Sequence, residues 1–326
     1  MRRACLFLSL ATLLISGLLV RPAVAEGRFM LAIVPDVQIE VGDNRFQQRL
    51  QWFVDNRTAL NLKLMLQCGD MMNFNLDAQY AHQSAALSVL DNANFPYVTC
   101  LGNHDTAAVR SDSGSAAPGD VNANLRNTAK YNAYFPLSRF KALSGVYETG
   151  KIDNAYHMFT AGGLNWLVIN LELWARPGAV AWAKTIVAAY PDYNVIFLTH
   201  AHLNGETGNN TIQQNNGGYG NSTAQYVFDQ AMKPYANVRL VFSGHVGTWG
   251  YRTDTGTNGN TIYEFLQCYH DNTTNPTRML EIDAENGTIR TWVYCPSINQ
   301  NKSDGSEQLI TGVQWVRAAP TPINTK

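Results

Sequence analysis

The 326-residue sequence is poor in cysteine and in charge, and both shortages exclude classes of protein. Its five cysteines do not have the spacing of a zinc finger or a CxxC redox site. Charged residues make up only 15%, with no Lys/Arg-rich stripe, which argues against binding to a nucleic-acid backbone. Internal repeats and linkers are also absent. With 45% hydrophobic residues, the composition indicates one globular domain with a sizeable core.

Long apolar runs are missing except at the N-terminus. Arg2 and Arg3 precede the apolar residues 5–20, and small residues follow at 23–25. This pattern predicts a secretory signal peptide over residues 1–25, because a membrane span needs ~20 apolar residues. We therefore expect a secreted or periplasmic protein without a membrane anchor. Loss of three arginines with the peptide would move the net charge from −1 to −4.

Four cysteines would remain after cleavage. An oxidising compartment permits disulfides, and Cys268 with Cys295 is the preferred pair because both lie on late strands. Free buried thiols fit the sequence as well.

The first part of the chain alternates between predicted strands and helices. Residues 29–34, 62–67 and 95–100 are apolar runs typical of strands buried on both faces. Helical spacing of apolar residues separates them, at about 45–60 and from Asp77 onwards. Short connections of this kind predict a parallel sheet.

The second part is rich in strands. Asn286-Gly287 predicts a β-hairpin between residues 278–282 and 288–294. The loop over residues 204–222 is dense in Gly, Asn and Gln, and it predicts either a flap over a site or a disordered insertion. We expect one domain over residues 26–297 and an irregular C-terminal tail over 298–326.

Groups that bind metals or protons follow several of the predicted strands. They are Asp36-Val37-Gln38, Gly69-Asp70, Gly102-Asn103-His104-Asp105, Thr199-His200-Ala201-His202 and Gly244-His245. The carboxyl ends of strands are where open α/β sheets handle ligands. Because Asp, Asn and His are ligands for divalent cations, the sequence predicts a metal site at this edge, and two ions held there would suit phosphoryl transfer.

This order of motifs resembles the calcineurin-like metallophosphoesterases, from Ile33 to about Gly247. Asp-x-Gln in the first motif is similar to a secreted bacterial branch. The resemblance implies an α/β fold, a four-layer α/β/β/α sandwich of the metallophosphoesterase type. It also implies an enzyme that hydrolyses phosphate mono- or diesters by attack of a metal-bound hydroxide. The expected cofactors are two divalent ions (Mn, Fe or Zn), and the expected partner is a small phosphate ester.

The resemblance also implies a role for each residue. Asp36 and Gln38 would bind the first metal, and Asp70 would bridge both ions. The second metal would take the remaining ligands, which are Asn103, His200 and His245. His104 would protonate the leaving oxygen, oriented and polarised by Asp105. His202 is a candidate contact for the substrate.

Two departures from the family pattern fall on the first metal. Gln38 and Gly247 stand where the family usually has histidines. The remaining donors are oxygens, so we expect a weak first site that prefers hard ions such as Mn²⁺ or Mg²⁺. His202 or His270 could replace the missing imidazole, although His270 is interpreted as structural. The alternative function is a catalytically weak or inactive metal- or phosphate-binding protein on the same scaffold.

Overall fold

The computed structural model describes residues 27–205, 210–271 and 273–318. The predicted signal peptide and the last part of the predicted tail lie outside these residues. The strands are β1 (Arg28–Val34), β2 (Leu62–Gln67), β3 (Tyr97–Thr99), β4 (Leu143–Val146), β5 (Ala155–Ala161), β6 (Leu164–Leu171), β7 (Asn194–Thr199), β8 (Leu203–Asn204), β9 (Thr211–Ile212), β10 (Val238–Ser243), β11 (Trp249–Thr255), β12 (Thr261–Gln267), β13 (Thr277–Asp283), β14 (Thr288–Cys295), β15 (Gln300–Asn301) and β16 (Gln308–Thr311). The helices are α1 (Arg45–Asn56), α2 (Asp77–Asn92), α3 (Val121–Leu125), α4 (Ala129–Tyr134), α5 (Pro177–Ala189) and α6 (Ala224–Val227).

The first sheet has the order β15-β14-β13-β1-β2-β3, with β16 also paired to β14. Strands β1, β2 and β3 are parallel, as the alternation of strands and helices predicts. Strands β13 and β14 are antiparallel, and Asn286-Gly287 lies in the connection between them. The predicted hairpin is therefore confirmed.

The second sheet has the order β11-β12-β10-β7-β6-β5-β4. Its centre is parallel, because β7 pairs in parallel with β6 and β10, and β10 pairs in parallel with β12. The carboxyl ends of β7, β10 and β12 therefore lie at one edge of this sheet.

The two sheets pack face to face, and helices cover their outer faces. Along β1, Leu31 and Ile33 belong to the core between the sheets, whereas Ala32 and Val34 pack towards α1 and α2. This alternation follows from the pleat, which sends successive side chains to opposite faces. A third core packs Phe197 of β7 against Val187 of α5. The layers are α/β/β/α, as predicted.

The region after residue 298 differs from the expectation of an irregular tail. Strands β15 and β16 both pair with β14, and Ile310 and Trp315 pack on the core between the sheets. The prediction was wrong for this segment because its two short strands satisfy their backbone groups on an existing sheet edge, with little periodicity of their own.

The preferred disulfide was also wrong. Cys68, Cys100, Cys268 and Cys295 are all free and buried. Cys268 follows β12 in the second sheet, whereas Cys295 ends β14 in the first, so the two thiols belong to different layers. Within the described residues, no helix combines the length and hydropathy that crossing a bilayer requires.

Candidate metal centre

The predicted site residues come together where parallel strands end. Asp36 follows β1, Asp70 follows β2, and the 102–105 motif follows β3 in the first sheet. His200 follows β7 and His245 follows β10 in the second sheet. Because the two sheets face each other, these strand ends together form one surface, which we call the floor of the site.

Three groups form a first set, which we call the Asp70 cluster: Asp70, His200 and His245. The Nε2 atom of His200 lies 3.1 Å from Asp70 Oδ2 and 3.1 Å from His245 Nδ1. The His200 Nδ1–H group donates to the carbonyl of Cys68 at 2.7 Å, which fixes the ring. Asp70 and His245 have positive φ angles of 52° and 76°, a strained conformation typical of functional sites.

Charge in this cluster already favours a cation. Burial alone would lower the pKa of His200, but the carboxylates of Asp70 and Asp36 outweigh it and raise that pKa to about 10. Burial and the charge on His200 lower the pKa of His245 to about 3, so its imidazole is neutral. The same negative charge that keeps a proton on His200 would attract a divalent cation.

A second set, which we call the Asp36 cluster, contains Asp36, Cys268 and His270. Asp36 Oδ2 lies 3.4 Å from Cys268 Sγ and 3.4 Å from His270 Nε2. Burial, followed by the charge on Asp36, raises the pKa of the Cys268 thiol. The hydrogen bond with Asp36 raises the pKa of His270. His270 therefore lies beside Asp36, as expected if it replaces the missing imidazole, and not apart from the site.

Two glycines let backbone pass directly beside the carboxylates. A Cβ atom at Gly102 would lie 2.0 Å from Asp70 Oδ1, and one at Gly244 would lie 2.0 Å from Asp36 Oδ1. No side chain fits at either position. The glycines of these two motifs are therefore required by close packing around the metal-binding groups.

Asp105 holds the loop that carries Asp70. Its carboxylate accepts backbone N–H groups from Gly102 and Asp70 at Oδ2, at 2.8 and 2.7 Å. At Oδ1 it accepts from Met71 and Met72 at 2.8 and 3.2 Å. Both oxygens are occupied by backbone donors, so the expectation that Asp105 orients His104 is corrected. Asp105 is a positioning residue for the Asp70 loop.

The orienting partner of His104 is a main-chain carbonyl. Its Nδ1 atom lies 2.6 Å from the oxygen of Asn73, which can only accept, so Nδ1 carries the proton. The backbone N–H of His104 donates to Asp70 Oδ1 at 3.0 Å. No sequence motif points to Asn73, because a main-chain acceptor is independent of residue type.

His202 does not face the site. Its side chain is buried, and Nε2 lies 2.5 Å from Glu264 Oε2 of β12. The ring of Phe228, after α6, lies 6.1 Å from the His202 ring, so His202 packs on the helix side of the second sheet. The expectation of a substrate contact is corrected because His202 pairs with a buried carboxylate there instead.

The donor set fits metal ions. Asn103 Oδ1 and Gln38 Oε1 are buried and have no hydrogen-bond partner among the described residues. Buried acceptors without a partner are costly in a folded protein, and a cation would satisfy them. Carboxylate, imidazole and amide oxygen donors at one floor are the set that divalent ions take.

A cavity of about 490 Å³ opens beside His245. Its lining residues are Trp174, Asn204, Thr211, Ile212, Gln213, Gln214, Asn215, Gly217, Tyr219, His245 and Val246. Trp174 contacts the rings of both Tyr219 and His245 edge-on, at 4.6 and 5.3 Å between centroids. The described part of the 204–222 loop thus lies over the site, which agrees with the flap alternative.

Trp174 was missed by sequence reasoning, and a buried charge network positions it. Arg126 donates to the carbonyls of Leu173 and Trp174 at 3.0 and 2.7 Å. Glu172 pairs with Arg126 at 3.3 Å and with Arg176 at 2.8 Å. Glu172 therefore holds, through Arg126, the segment that carries Trp174.

Two facing sheets with carboxylate and imidazole donors at one edge define a metal-binding α/β sandwich. A sequence model of the calcineurin-like phosphoesterases matches residues 29–248, more than half of the chain. The chain therefore belongs to the calcineurin-like phosphoesterase family.

Similarity to individual proteins is low. The uncharacterized protein YvnB of Bacillus subtilis (strain 168) is 22% identical over 263 residues, which cover 78% of this chain and 18% of YvnB. The chain thus spans less than a fifth of that relative's length. GAP50, the anchor in the inner membrane complex of Plasmodium, is 10% identical with a TM-score of 0.48, covering 87% of this chain and 88% of its own. The sulfate thiohydrolase SoxB of Thermus thermophilus is 9% identical with a TM-score of 0.49, covering 87% and 59%.

Proposed function

We propose that the protein is an exported, metal-dependent phosphoesterase that hydrolyses a small phosphate mono- or diester. The observation that carries this proposal is that two groups of candidate metal ligands lie at one edge of the sheets, with His104 bonded to Asp70 of one group, in a chain of this family. Residues 1–25 support export, because they have the charge and hydropathy of a signal peptide.

The chain's part in the reaction is to hold ions and place the ester. The Asp70 cluster, with Asn103, would hold one ion, and the Asp36 cluster would hold another. Ions bound there would supply Lewis acidity, which would offset negative charge on the phosphoryl group and activate water. Asp105 contributes by fixing the Asp70 loop through three backbone N–H groups, and it accepts a fourth from Gly102 of its own loop.

His104 is the candidate general acid. Because Nδ1–H is committed to the Asn73 carbonyl, Nε2 is the nitrogen left to hand a proton to the leaving oxygen. The bond from its backbone N–H to Asp70 keeps the imidazole next to the cluster. An acid in this position lowers the barrier most when the leaving alcohol is a poor leaving group.

The cavity supports an ester with an uncharged alcohol part. Its lining contains no Lys, Arg, Asp or Glu among the described residues. Trp174 and Tyr219 contribute aromatic rings to the lining, and residues 213–215 contribute amide side chains. Amide side chains and aromatic rings of this kind suit a polar, neutral group.

The experiment is a comparison of His104→Ala with wild type on aryl and alkyl phosphates of graded leaving-group acidity. We expect turnover of the poorest leaving groups to fall by ~10²–10⁴-fold, the range for general acid catalysis, and the loss to shrink as leaving-group acidity rises. Metal content should stay at the wild-type level. His82→Ala is the control, since His82 is on α2 and its ring bonds the main-chain carbonyl of Asp43, away from the two clusters.

Equal losses for good and poor leaving groups would rule out the acid role of His104. A wild-type protein that binds ions but turns over none of these esters would instead support the binding-protein alternative.

A further inference from the structure

The Asp36 cluster differs from the set of donors that the sequence motifs predict. In the first motif position 38 is Gln, and in the last motif position 247 is Gly. On the motifs alone, the ion beside Asp36 has no imidazole and no sulfur. The structure brings one of each to Asp36 from outside the motifs, on Cys268 and His270.

We propose that Cys268 and His270 are ligands of the ion held by Asp36, which makes this position a mixed sulfur, nitrogen and oxygen site that selects Zn²⁺ over Mn²⁺ and Mg²⁺. The inference rests on the proposal that ions bind at this floor, but it does not depend on turnover of any substrate.

The three ligand atoms are already arranged around one point. Cys268 Sγ lies 3.4 Å from Asp36 Oδ2 and 3.5 Å from His270 Nε2. His270 Nε2 lies 3.4 Å from Asp36 Oδ2. Ligands about 2.0–2.3 Å from a zinc ion lie roughly 3.3–3.8 Å apart in a tetrahedral shell, so little movement is needed.

The topology explains why these two residues reach Asp36. Strand β12 is parallel to β10, and Leu266 pairs with Ser243, so the two strands end side by side. The residues after β12 therefore arrive at the same floor as Gly244 and His245. Cys268 Sγ and His270 Nε2 both lie within 3.4 Å of Asp36 Oδ2, so the two side chains face the same point.

The segment that carries the two ligands is anchored on both sides. Tyr269 has a positive φ of 48°, and its hydroxyl donates to Asp304 at 2.6 Å. Asp271 caps the backbone N–H of Thr274 at 2.8 Å and pairs with Lys302 at 3.1 Å. Such anchoring holds metal ligands in place before the ion arrives.

An ion can also reach this position from solvent. His270 has 43% of its side chain exposed, whereas Asp36 and Cys268 are buried. A cavity of about 350 Å³, lined by Thr248, Tyr269 and His270 among others, opens onto it. The carboxylate and the thiol are therefore buried, and the imidazole is the ligand that solvent can reach.

Ligand softness then decides which ion binds. Thiolate and imidazole favour Zn²⁺ or Co²⁺, while Mn²⁺ and Mg²⁺ prefer oxygen ligands. Binding requires the thiol to lose its proton to solvent as the metal–sulfur bond forms. This reverses the preference for hard ions that an all-oxygen site would have.

Cobalt substitution tests the proposal directly. Wild-type protein loaded with Co²⁺ should bind two ions per chain and show a near-ultraviolet charge-transfer band from a cobalt–thiolate bond. Cys268→Ser should lose this band, and one of the two ions should bind at least ~10-fold more weakly. His270→Ala should keep the band at saturating Co²⁺, but its affinity for the same ion should be lower than in the wild type.

Cys295→Ser is the matched control, because Cys295 is also a buried free thiol but contacts Thr274 instead of the site. It should keep the band and both ions. X-ray absorption of zinc-loaded wild type, which needs no variant, should show sulfur in the first coordination shell of one ion in two.

Two bound ions with no charge-transfer band and no sulfur scatterer would overturn this inference and leave the phosphoesterase proposal standing. A band that persists in Cys268→Ser would do the same. A protein that binds no divalent ion would overturn both proposals.

Discussion

The two clusters lie side by side but differ in how the chain builds them. The Asp70 cluster takes its donors from β2, β7 and β10, and its central imidazole, on His200, is fully buried. The Asp36 cluster takes its donors from β1 and β12, and its imidazole, on His270, is 43% exposed. One floor can thus hold a buried nitrogen and oxygen site beside a more accessible site that adds sulfur, and the two need not favour the same ion.

A backbone link joins the two clusters. The N–H of His245 donates to both oxygens of Asp36, at 3.3 and 3.1 Å, while the His245 ring faces His200. His245 therefore contacts both clusters, through its backbone N–H on one side and its ring on the other. Variants that separate the two clusters are the most informative.

The largest effect is expected from Asp70→Asn, which removes the charge at the centre of the Asp70 cluster without changing its shape. Turnover should fall on the order of 10³-fold, because the group that neutralises both His200 and a bound ion is lost. Kinetics on an aryl phosphate together with metal analysis measure this. Asp77→Asn is the control, since Asp77 is an exposed carboxylate paired with Lys130. Unchanged turnover and metal content in Asp70→Asn would show that the Asp70 cluster does not bind a metal needed for turnover.

A smaller effect is expected from Asp105→Asn. This variant tests whether Asp105 positions the loop of the Asp70 cluster without affecting the Asp36 cluster. The amide cannot accept all four backbone N–H groups, and unpaired buried donors should cost about 1–3 kcal/mol in the free energy of unfolding. The ion in the Asp70 cluster should bind more weakly, while the cobalt–thiolate band should keep its wild-type titration. Asp120→Asn is the control, because Asp120 also accepts backbone N–H groups, at the exposed start of α3.

The leaving-group dependence of turnover in Asp105→Asn separates two roles. If Asp105 only holds the loop, turnover should fall by a similar factor for good and poor leaving groups. A larger loss for poor leaving groups would restore the expectation that Asp105 polarises His104.

Much of the Asp70 cluster could be predicted from the sequence, whereas two of the three members of the Asp36 cluster lie outside the sequence motifs. Asp70, His200 and His245 each follow a short apolar run, and strand ends with polar groups are visible in a sequence. Cys268 and His270 also follow such a run, but whether β12 runs parallel to β10 depends on pairing between distant segments. If β12 ran antiparallel to β10, the residues that follow it would lie at the opposite edge of the sheet, away from the site.

The same reasoning explains the other differences. The layered fold was predictable from the resemblance to the family, whereas the alternation of strands and helices by itself predicted only the parallel pairing of β1, β2 and β3. His202 and His200 are two residues apart after the same strand, yet His202 turns to Glu264 on the helix side. The last strands, β15 and β16, depend on a sheet edge that only the folded chain provides.

The smallest effect on metal binding is expected from Gly247→His, which restores the histidine that the family pattern has. With His270 already beside Asp36, the added imidazole should not tighten the ion there. Gly247 has a φ of +70°, so a side chain should cost about 1–2 kcal/mol in the free energy of unfolding. Gly163→His is a matched control, since Gly163 has the same φ of +70° with open space around it. Similar destabilisation in both variants, with wild-type metal affinity in both, is the expected result. A marked gain in affinity in Gly247→His alone would show that His270 does not fill the position.

The most direct test of the central claim, that the floor holds two ions in chemically different clusters, is anomalous diffraction at the zinc edge from crystals of zinc-loaded protein. We expect two zinc peaks, one in the Asp70 cluster and one in the Asp36 cluster. A single peak, or a second peak out of bonding distance of Cys268 and His270, would contradict it.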